Sequence, residues 1–588
     1  MALRAVTISD FNAANFDAFL ENAEEGPAVQ TIPLPFGQVQ QLLLTPDAPL
    51  WRESPDLAVV WTRPQAVVPS FGSLLSSEPV SPDMLLAEVD DFASRLVELS
   101  RRVPTVFVPT WTPPADERNL GVFDLRDPLG SSHQLMRMNL HLIDRMRDEA
   151  GVYVLDASRW IGRTGGGAYS PKLWYMGKMA FSNAVFREAA LEIKGALRAI
   201  AGDARKLLVL DLDDTLWGGV LGDVGLEGLT LGGHDPIGEA FVDFQRYVKS
   251  LQRRGIVLGI VSKNDERRAL KAIEEHPEMA LRLDDFAAWR INWADKAQNV
   301  ADLAAELNLG LQSTVFIDDN PAERARVREA LPEVLVPEWP TDPSYYRGTL
   351  AQLRCFDAPS VSEEDRERTR MYRVNRERGA AKATVGSIDE WLSSLETTVL
   401  VQPLNETDLT RAVQLLNKTN QMNLSTRRMS QAEFLDWSTR EGVRVWTARV
   451  TDRFGDQGLT GLLGVQRDGS RLRLVDFVLS CRVMGRRVEE TLLAVATLHA
   501  RDAGLDGLDV TYQPTEKNLP CLDFLLRSGL EENGGQGRFR WESSREYPVP
   551  GAIRLQLMKS EGPAGQSPGP SADAASRPTS PTTYGVVQ

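Results

Sequence analysis

Apolar residues cluster in short runs along the first two thirds of the chain. They fall at Leu57–Trp61, Thr105–Val108, Val152–Leu155, Lys206–Leu212, Ile256–Val261 and Thr314–Ile317. Runs of this length, bounded by polar residues, predict strands buried on both faces. Helical spacing falls between them, at Met84–Val97, Leu140–Met146, Ile237–Gln252 and Asp295–Leu307. Strands alternating with helices predict parallel sheets that bind ligands at their C-terminal strand ends. The texture changes near residue 396. Val443–Val450 and Leu472–Leu479 alternate apolar with polar positions, the second after the turn Arg467-Asp468-Gly469-Ser470, and predict antiparallel strands. A helix over Val488–Ala503, a strand over Leu508–Tyr512 and a helix over Leu519–Ser528 follow. The pattern predicts an α/β multidomain chain: an α/β domain over 1–202, a parallel-sheet domain over 203–350, a charged helical linker over 351–395 and an α+β domain over 396–558. The Pro/Ser/Gly/Ala-rich tail, 559–588, is expected to be disordered.

Composition narrows the setting. Three cysteines in 588 residues leave no disulfide framework and predict a reducing, cytoplasmic environment. No apolar run approaches the ~18 residues of a membrane span, and no leader is apparent at Met1. The net charge of −15 lies wholly within residues 1–395, which hold 43 basic and 58 acidic side chains against 23 of each afterwards. An acidic balance argues against nucleic acid as a partner, and the neutral C-terminal part reads as a separate module.

The main chemical signal is Asp211-Leu212-Asp213-Asp214-Thr215 at the end of an apolar run. Two carboxylates at i and i+2 after a strand can address one phosphate: one attacks phosphorus, and the other protonates the leaving oxygen and then activates water. Acids this close need a cation, and Mg²⁺ suits hard oxygen ligands. Three further parts follow. Ser262 ends the next strand, Lys296 opens a helix, and Asp318-Asp319 end a third strand. Together these parts resemble the haloacid dehalogenase (HAD) superfamily of phosphatases. The resemblance implies a nucleophile at Asp211, an acid/base at Asp213, phosphate contacts at Thr215, Ser262 and Lys296, and Mg²⁺ ligands at Asp211, Asp213 and Asp318, with Asp319 beside them. Only about 50 residues separate Asp211 from Ser262, so the cap is minimal and the site open.

Longer strings carry a closer resemblance. Leu210–Val224, Asn292–Lys296, Ile317–Arg324, Asn417–Met429, Phe454–Leu459, Ser480–Glu490 and Tyr512–Leu519 are similar to the FkbH-like proteins of polyketide pathways. That family implies a HAD domain joined to a GNAT-like acyltransferase fold. It removes phosphate from 1,3-bisphosphoglycerate and loads the glyceryl unit onto the phosphopantetheine of an acyl carrier protein. The first domain resembles the SGNH-hydrolase-like segment of these proteins. Its G-D-S and D-x-x-H motifs are missing, Ser9-Asp10-Phe11-Asn12 being the nearest string, so a docking role is expected. Asp214 stands where the family often has Asn, and activity is expected to survive.

Cys481 reads as chemistry independently of that name. It ends a strand and is followed by the basic turn Arg482, Gly485, Arg486, Arg487 and a helix start, which together predict an anion site. The turn resembles the R-x-x-G-x-G/A loop that holds coenzyme A pyrophosphate in GNAT enzymes. Arg487 replaces its last small residue, which favours a single phosphopantetheine phosphate. The same setting is expected to lower the thiol pKa and make Cys481 a nucleophile. Free cysteine is otherwise commonly a small core residue, as expected for Cys355 and Cys521. Asn417, Asn420, Asn423, Thr515 and Asn518 are candidates for the carrier arm or the glyceryl unit, or else for turn and helix capping. His499 is a base or a structural residue. Two rivals stay open: a phosphatase joined to a coenzyme A-dependent acyltransferase with Cys481 structural, and a non-catalytic carrier-docking scaffold.

Overall fold

The computed structural model describes residues 2–358, 370–372, 387–558 and 582–583, apart from 24–25, 46–47, 114–115, 234, 516 and 536. The charged helix expected over 361–380 lies outside the described residues except for 370–372. The tail from 559 does too, save 582–583. Two compact units divide the chain, Met1–Ile200 and Ala201–Gln588. Among the described residues no helix is long and apolar enough to cross a membrane.

The first unit carries β1 (Leu3–Ser9), β2 (Val29–Ile32), β3 (Leu57–Trp61), β4 (Thr105–Pro109) and β5 (Val152–Leu155). They form one parallel sheet in the order β2-β1-β3-β4-β5. Along β3, Leu57, Val59 and Trp61 enter one core while Ala58 and Val60 enter the other. This two-sided burial is what an uninterrupted apolar run encodes. The strand order reverses between β1 and β3, where Ser9 and Asp10 lie. Asp10 accepts the Arg63 N–H at 2.8 Å and its Nε at 2.7 Å, and the Ser9 hydroxyl oxygen accepts the Phe11 N–H at 3.2 Å. Both side chains thus fix the loop.

The second unit opens with β6 (Leu207–Leu210), β7 (Val257–Ser262), β8 (Phe286–Ile291) and β9 (Thr314–Ile317), parallel in the order β8-β7-β6-β9. Leu208 and Leu210 face one core, Leu207 and Val209 the other. Among the described residues between β6 and β7 lie the isolated bridges Asp213–Trp217 and Gly218–Thr230, single helical turns at Leu221–Val224 and Leu226–Gly228, and the helix Pro236–Arg253.

Thereafter a larger mixed sheet is built from β10 (Thr397–Pro403), β11 (Met422–Asn423), β12 (Val443–Asp452), β13 (Gly455–Asp468), β14 (Arg471–Leu479), β15 (Gly507–Thr511), β16 (Glu531–Glu532), β17 (Arg538–Glu542), β18 (Ile553–Leu557) and β19 (Thr582–Thr583). Neighbours are antiparallel except β10 with β18 and β14 with β15. The helix Val488–Asp502 packs across this sheet through Leu492, Leu493 and Val495.

Candidate functional site

The parallel order puts the ends of β6, β7 and β9 side by side. Asp211 follows β6, Ser262 ends β7, Asp318 follows β9, and Lys296 opens the helix Lys296–Glu306 after β8. Lys296 Nζ lies 2.8 Å from Asp211 Oδ2 and 2.6 Å from Asp318 Oδ2. All three are buried, Asp318 completely. The Lys296 pKa is raised: burial works against the ammonium, and the two carboxylates outweigh it. Burial first, then the charge of Asp211, pushes the Asp318 carboxyl up to about 7 and that of Asp319 up to about 6.

Asp211, Asp318 and Asp319 can bring ligand oxygens within 4.8 Å of one another. Asp211 Oδ1 is buried without a hydrogen-bond partner. Three carboxylates facing one lysine, with an orphaned oxygen among them, fit a hard divalent cation such as Mg²⁺. The converging carboxylates are those of Asp211, Asp318 and Asp319, without the side chain of Asp213. The Asp213 carboxylate is held elsewhere: Trp217 Nε1 donates to it at 2.9 Å, the Leu221 N–H at 3.2 Å and Asn264 Nδ2 at 2.9 Å. Burial is also the first cause of the raised Asp213 pKa, ahead of the opposing Trp217 bond, which suits a proton donor.

Thr215 was expected on phosphate. Its hydroxyl instead joins Asp319, donating to Oδ1 at 3.3 Å and accepting the Asp319 N–H at 3.1 Å, so it positions that carboxylate. Asp214 sits in left-handed backbone with φ 52°, a region that Asp and Asn tolerate. Its carboxylate accepts the Gly219 N–H at 2.7 Å and its carbonyl accepts the Tyr346 hydroxyl at 3.0 Å.

Cys481 lies half-buried in a short turn after β14 and lines a cavity of about 140 Å³. That cavity is walled on one side by Lys206, Asn308 and Ser313 and on the other by Asn420, Arg482 and Lys517. Lys206 and Ser313 immediately precede β6 and β9, so the cavity opens at the N-terminal ends of the strands whose C-terminal ends carry Asp211 and Asp318. Asn308 Nδ2 donates to the Cys481 carbonyl at 3.1 Å, and the Tyr372 hydroxyl is 3.9 Å from the sulfur.

Each arginine of the turn has a partner other than the thiol, although Arg482 shares the cavity with it. Arg482 Nε donates to the Ser480 hydroxyl at 3.0 Å, Arg486 is buried against Asp452 at 3.1 Å, and Arg487 pairs with Glu490 at 3.2 Å. Gly485 donates its N–H to Glu489. Asn518 is a clamp: its Oδ1 accepts the Tyr512 hydroxyl at 2.7 Å and the Thr515 N–H at 2.8 Å, while Nδ2 donates to the carbonyls of Asn423 and Gln513. Its hydrogen-bonding capacity is spent, so neither it nor the Thr515 backbone N–H it holds is offered to a ligand. Asn417 ties down the Met429 backbone and Asn423 holds the Leu416 carbonyl. Asn420 does line the cavity. His499, half-buried, stacks edge-on against Trp446, with its pKa lowered by burial first. Cys521 is buried, which pushes its thiol up to about 12.

Asn264 and Glu489 escaped the sequence reading. Asn264 directly follows the strand-ending Ser262-Lys263 and was there to be found. The helical position of Glu489 resembled that of any solvated acid.

No protein-family model and no curated protein sequence matches the chain. Solved structures do. The N-terminal part of protein BF1531 from Bacteroides fragilis, containing a phosphatase domain complexed with Mg, is 28% identical, with a TM-score of 0.55 over 61% of this chain and 95% of that one. A GNAT-family acetyltransferase from Staphylococcus aureus Mu50 (12% identical) covers 25% of this chain and 99% of its own, and the PaiA N-acetyltransferase from Thermoplasma acidophilum (14% identical) covers 24% and 96%. Both have a TM-score of 0.20, which leaves them partial likenesses.

Proposed function

We propose that the protein is a two-site enzyme, a Mg²⁺-dependent phosphatase joined to an acyl (glyceryl) transferase. The observation that carries the first half is the buried Asp211–Lys296–Asp318 group with its orphaned Asp211 oxygen, supported by the likeness to a phosphatase domain complexed with Mg. Asp211, Asp318 and Asp319 would hold Mg²⁺, which would neutralise charge on a phosphate dianion. Asp211 attacks phosphorus and forms an aspartyl-phosphate as the ester oxygen leaves with the proton from Asp213. Asp213, now a base, takes a proton from water, which breaks the P–O bond to Asp211 and frees phosphate. Lys296 stabilises the charge on the transferring group.

The second half rests on Cys481 beside its cavity and on the resemblance to FkbH-like proteins. The substrate is 1,3-bisphosphoglycerate. The Cys481 thiolate attacks the acyl-phosphate carbonyl, phosphate leaves, and a thioester forms. The phosphopantetheine thiol of an acyl carrier protein then takes the acyl group and returns the Cys481 thiol. The test is intact-protein and peptide mass spectrometry after incubation with Mg²⁺ and enzymatically generated 1,3-bisphosphoglycerate, with and without the loaded carrier. A glyceryl or phosphoglyceryl adduct on the Cys481 peptide that moves to the carrier is expected. Phosphate release with no adduct on either protein would leave the phosphatase alone.

A further inference from the structure

A strand, a glycine turn and a helix start make an anion site because several backbone N–H groups point outward there unpaired. In the turn between β14 and the helix Val488–Asp502, Gly485 and Arg487 both have left-handed backbone, with φ 74° and 67°. The anion already present is the chain's own. Glu489 is 2% exposed, and its Oε1 accepts the Gly485 N–H at 2.6 Å. Its Oε2 is buried with no hydrogen-bond partner. Asp452 and Glu490 take the two arginines nearest the helix start.

The neighbouring strand edge is filled as well. β14 and β15 pair in parallel only from Arg471 to Leu474 and then diverge. An extended thioester arm would add itself to such a free edge. Here Met422 and Asn423 pair with Leu479 and Val478, Leu424 donates its N–H to Phe477 at 3.1 Å, and Gln513 donates to the Leu424 carbonyl at 3.3 Å.

We infer that Glu489 is a specificity residue: its carboxylate closes the turn to the pyrophosphate of coenzyme A, and with Met422–Leu424 in the strand gap it excludes nucleotide-bearing thioesters from this domain. This deepens the transferase reading above and rests on it for its biological sense: acyl groups then enter and leave through the Cys481 cavity. The carboxylate does not yield its place readily. Freeing the turn means extracting a side chain that is 2% exposed and packed under the helix start.

The probe is desulfo-coenzyme A, titrated calorimetrically into the full chain. Hydrogen exchange of the 484–490 amides reports occupancy of this turn rather than of the phosphatase site. Wild type is expected to show no protection there at millimolar ligand. Glu489→Ser, which empties the turn, is expected to gain affinity by about tenfold or more, with protection of those amides. Glu489→Gln, which keeps the shape without the charge, is expected to gain less. Protection of those amides in wild type overturns the inference, as does a folded Glu489→Ser with unchanged melting temperature and no gain. Wild type decides alone if neither variant folds. Carrier acylation is scored separately: its failure beside a gain in Glu489→Ser sinks the glyceryl-transfer reading and spares this one.

Discussion

Two clusters in the Ala201–Gln588 unit look alike in sequence, each a strand end followed by charged residues and a helix start, yet their charges are settled in opposite ways. At the end of β6 the chain leaves an imbalance: Asp211, Asp318 and Asp319 face Lys296, and one buried carboxylate oxygen has no partner. At the end of β14 both arginines are already paired, with Asp452 and Glu490, and the turn's N–H is taken by the chain's own Glu489, whose second oxygen is left without a partner. Carboxylates that converge on one point call for a cation, whereas an anion seat already filled by the chain's own carboxylate does not call for another anion. Motif spacing alone cannot tell these two cases apart.

The largest effect expected to test this contrast comes from the nucleophile. Asp211→Asn should lower Mg²⁺-dependent phosphate release by about 10³-fold or more; release at the wild-type rate would remove the imbalance from the chemistry. Lys296→Met comes next. It strips the cation from buried carboxylates and should cost about 3–5 kcal/mol of stability in Mg²⁺-free buffer, with part restored by Mg²⁺, read as melting temperature. A Mg²⁺-independent loss would mean that packing, not charge, is at stake.

The pH dependence is smaller. The carboxyls of Asp318 and Asp319 rise from 3.8 to about 7 and about 6. The folded protein therefore binds more protons than the unfolded chain between those values, and Mg²⁺-free stability should fall as pH rises from about 4 to about 7. Mg²⁺ should raise the melting temperature more at pH 7.5 than at pH 5; an equal rise at both would contradict the cluster. Cys481→Ala should abolish the acyl adduct while phosphatase turnover stays within about twofold, because the cavity lies at the other end of the sheet. Least of all, Asp214→Asn should change turnover by less than about twofold, since Asn keeps both the left-handed backbone and the acceptor for Gly219.

Much of this could be read before the fold was known, and the failures have physical causes. β3, β5 and β9 begin and end where their apolar runs do, because strands buried on both faces are written as continuous hydrophobicity. β13 went unseen because Gly461 and Gly464 interrupt its pattern. A Cβ at Gly461 would meet the Ala448 Cβ at 2.9 Å, and one at Gly464 the Trp437 ring at 2.7 Å, so close packing demands the glycines that disguise the strand. β8, Phe-Ala-Ala-Trp-Arg-Ile, has too few large apolar residues to stand out. At the phosphatase-type site each strand-end residue was legible because parallel order fixes where strand ends meet. That the Asp319 carboxylate converges with Asp211 and Asp318 while that of Asp213 does not was not, because it depends on which way a side chain turns: Trp217 and Asn264 draw Asp213 aside. Arg486 of the Cys481 turn misled for the same reason, since its partner Asp452 lies far off in sequence.

The placement of Cys481 at the opposite end of the strands from Asp211 sets a limit on tethering. β6 has four residues, and at about 3.3 Å per residue its length alone is about 13 Å. A three-carbon acyl group bonded to the Cys481 sulfur spans a fraction of that and cannot present a distal phosphate to Asp211 through the body of the sheet. A molecule that needs both sites must therefore let go of the first before it meets the second, either free in solution or at the tip of an arm long enough to swing round the domain.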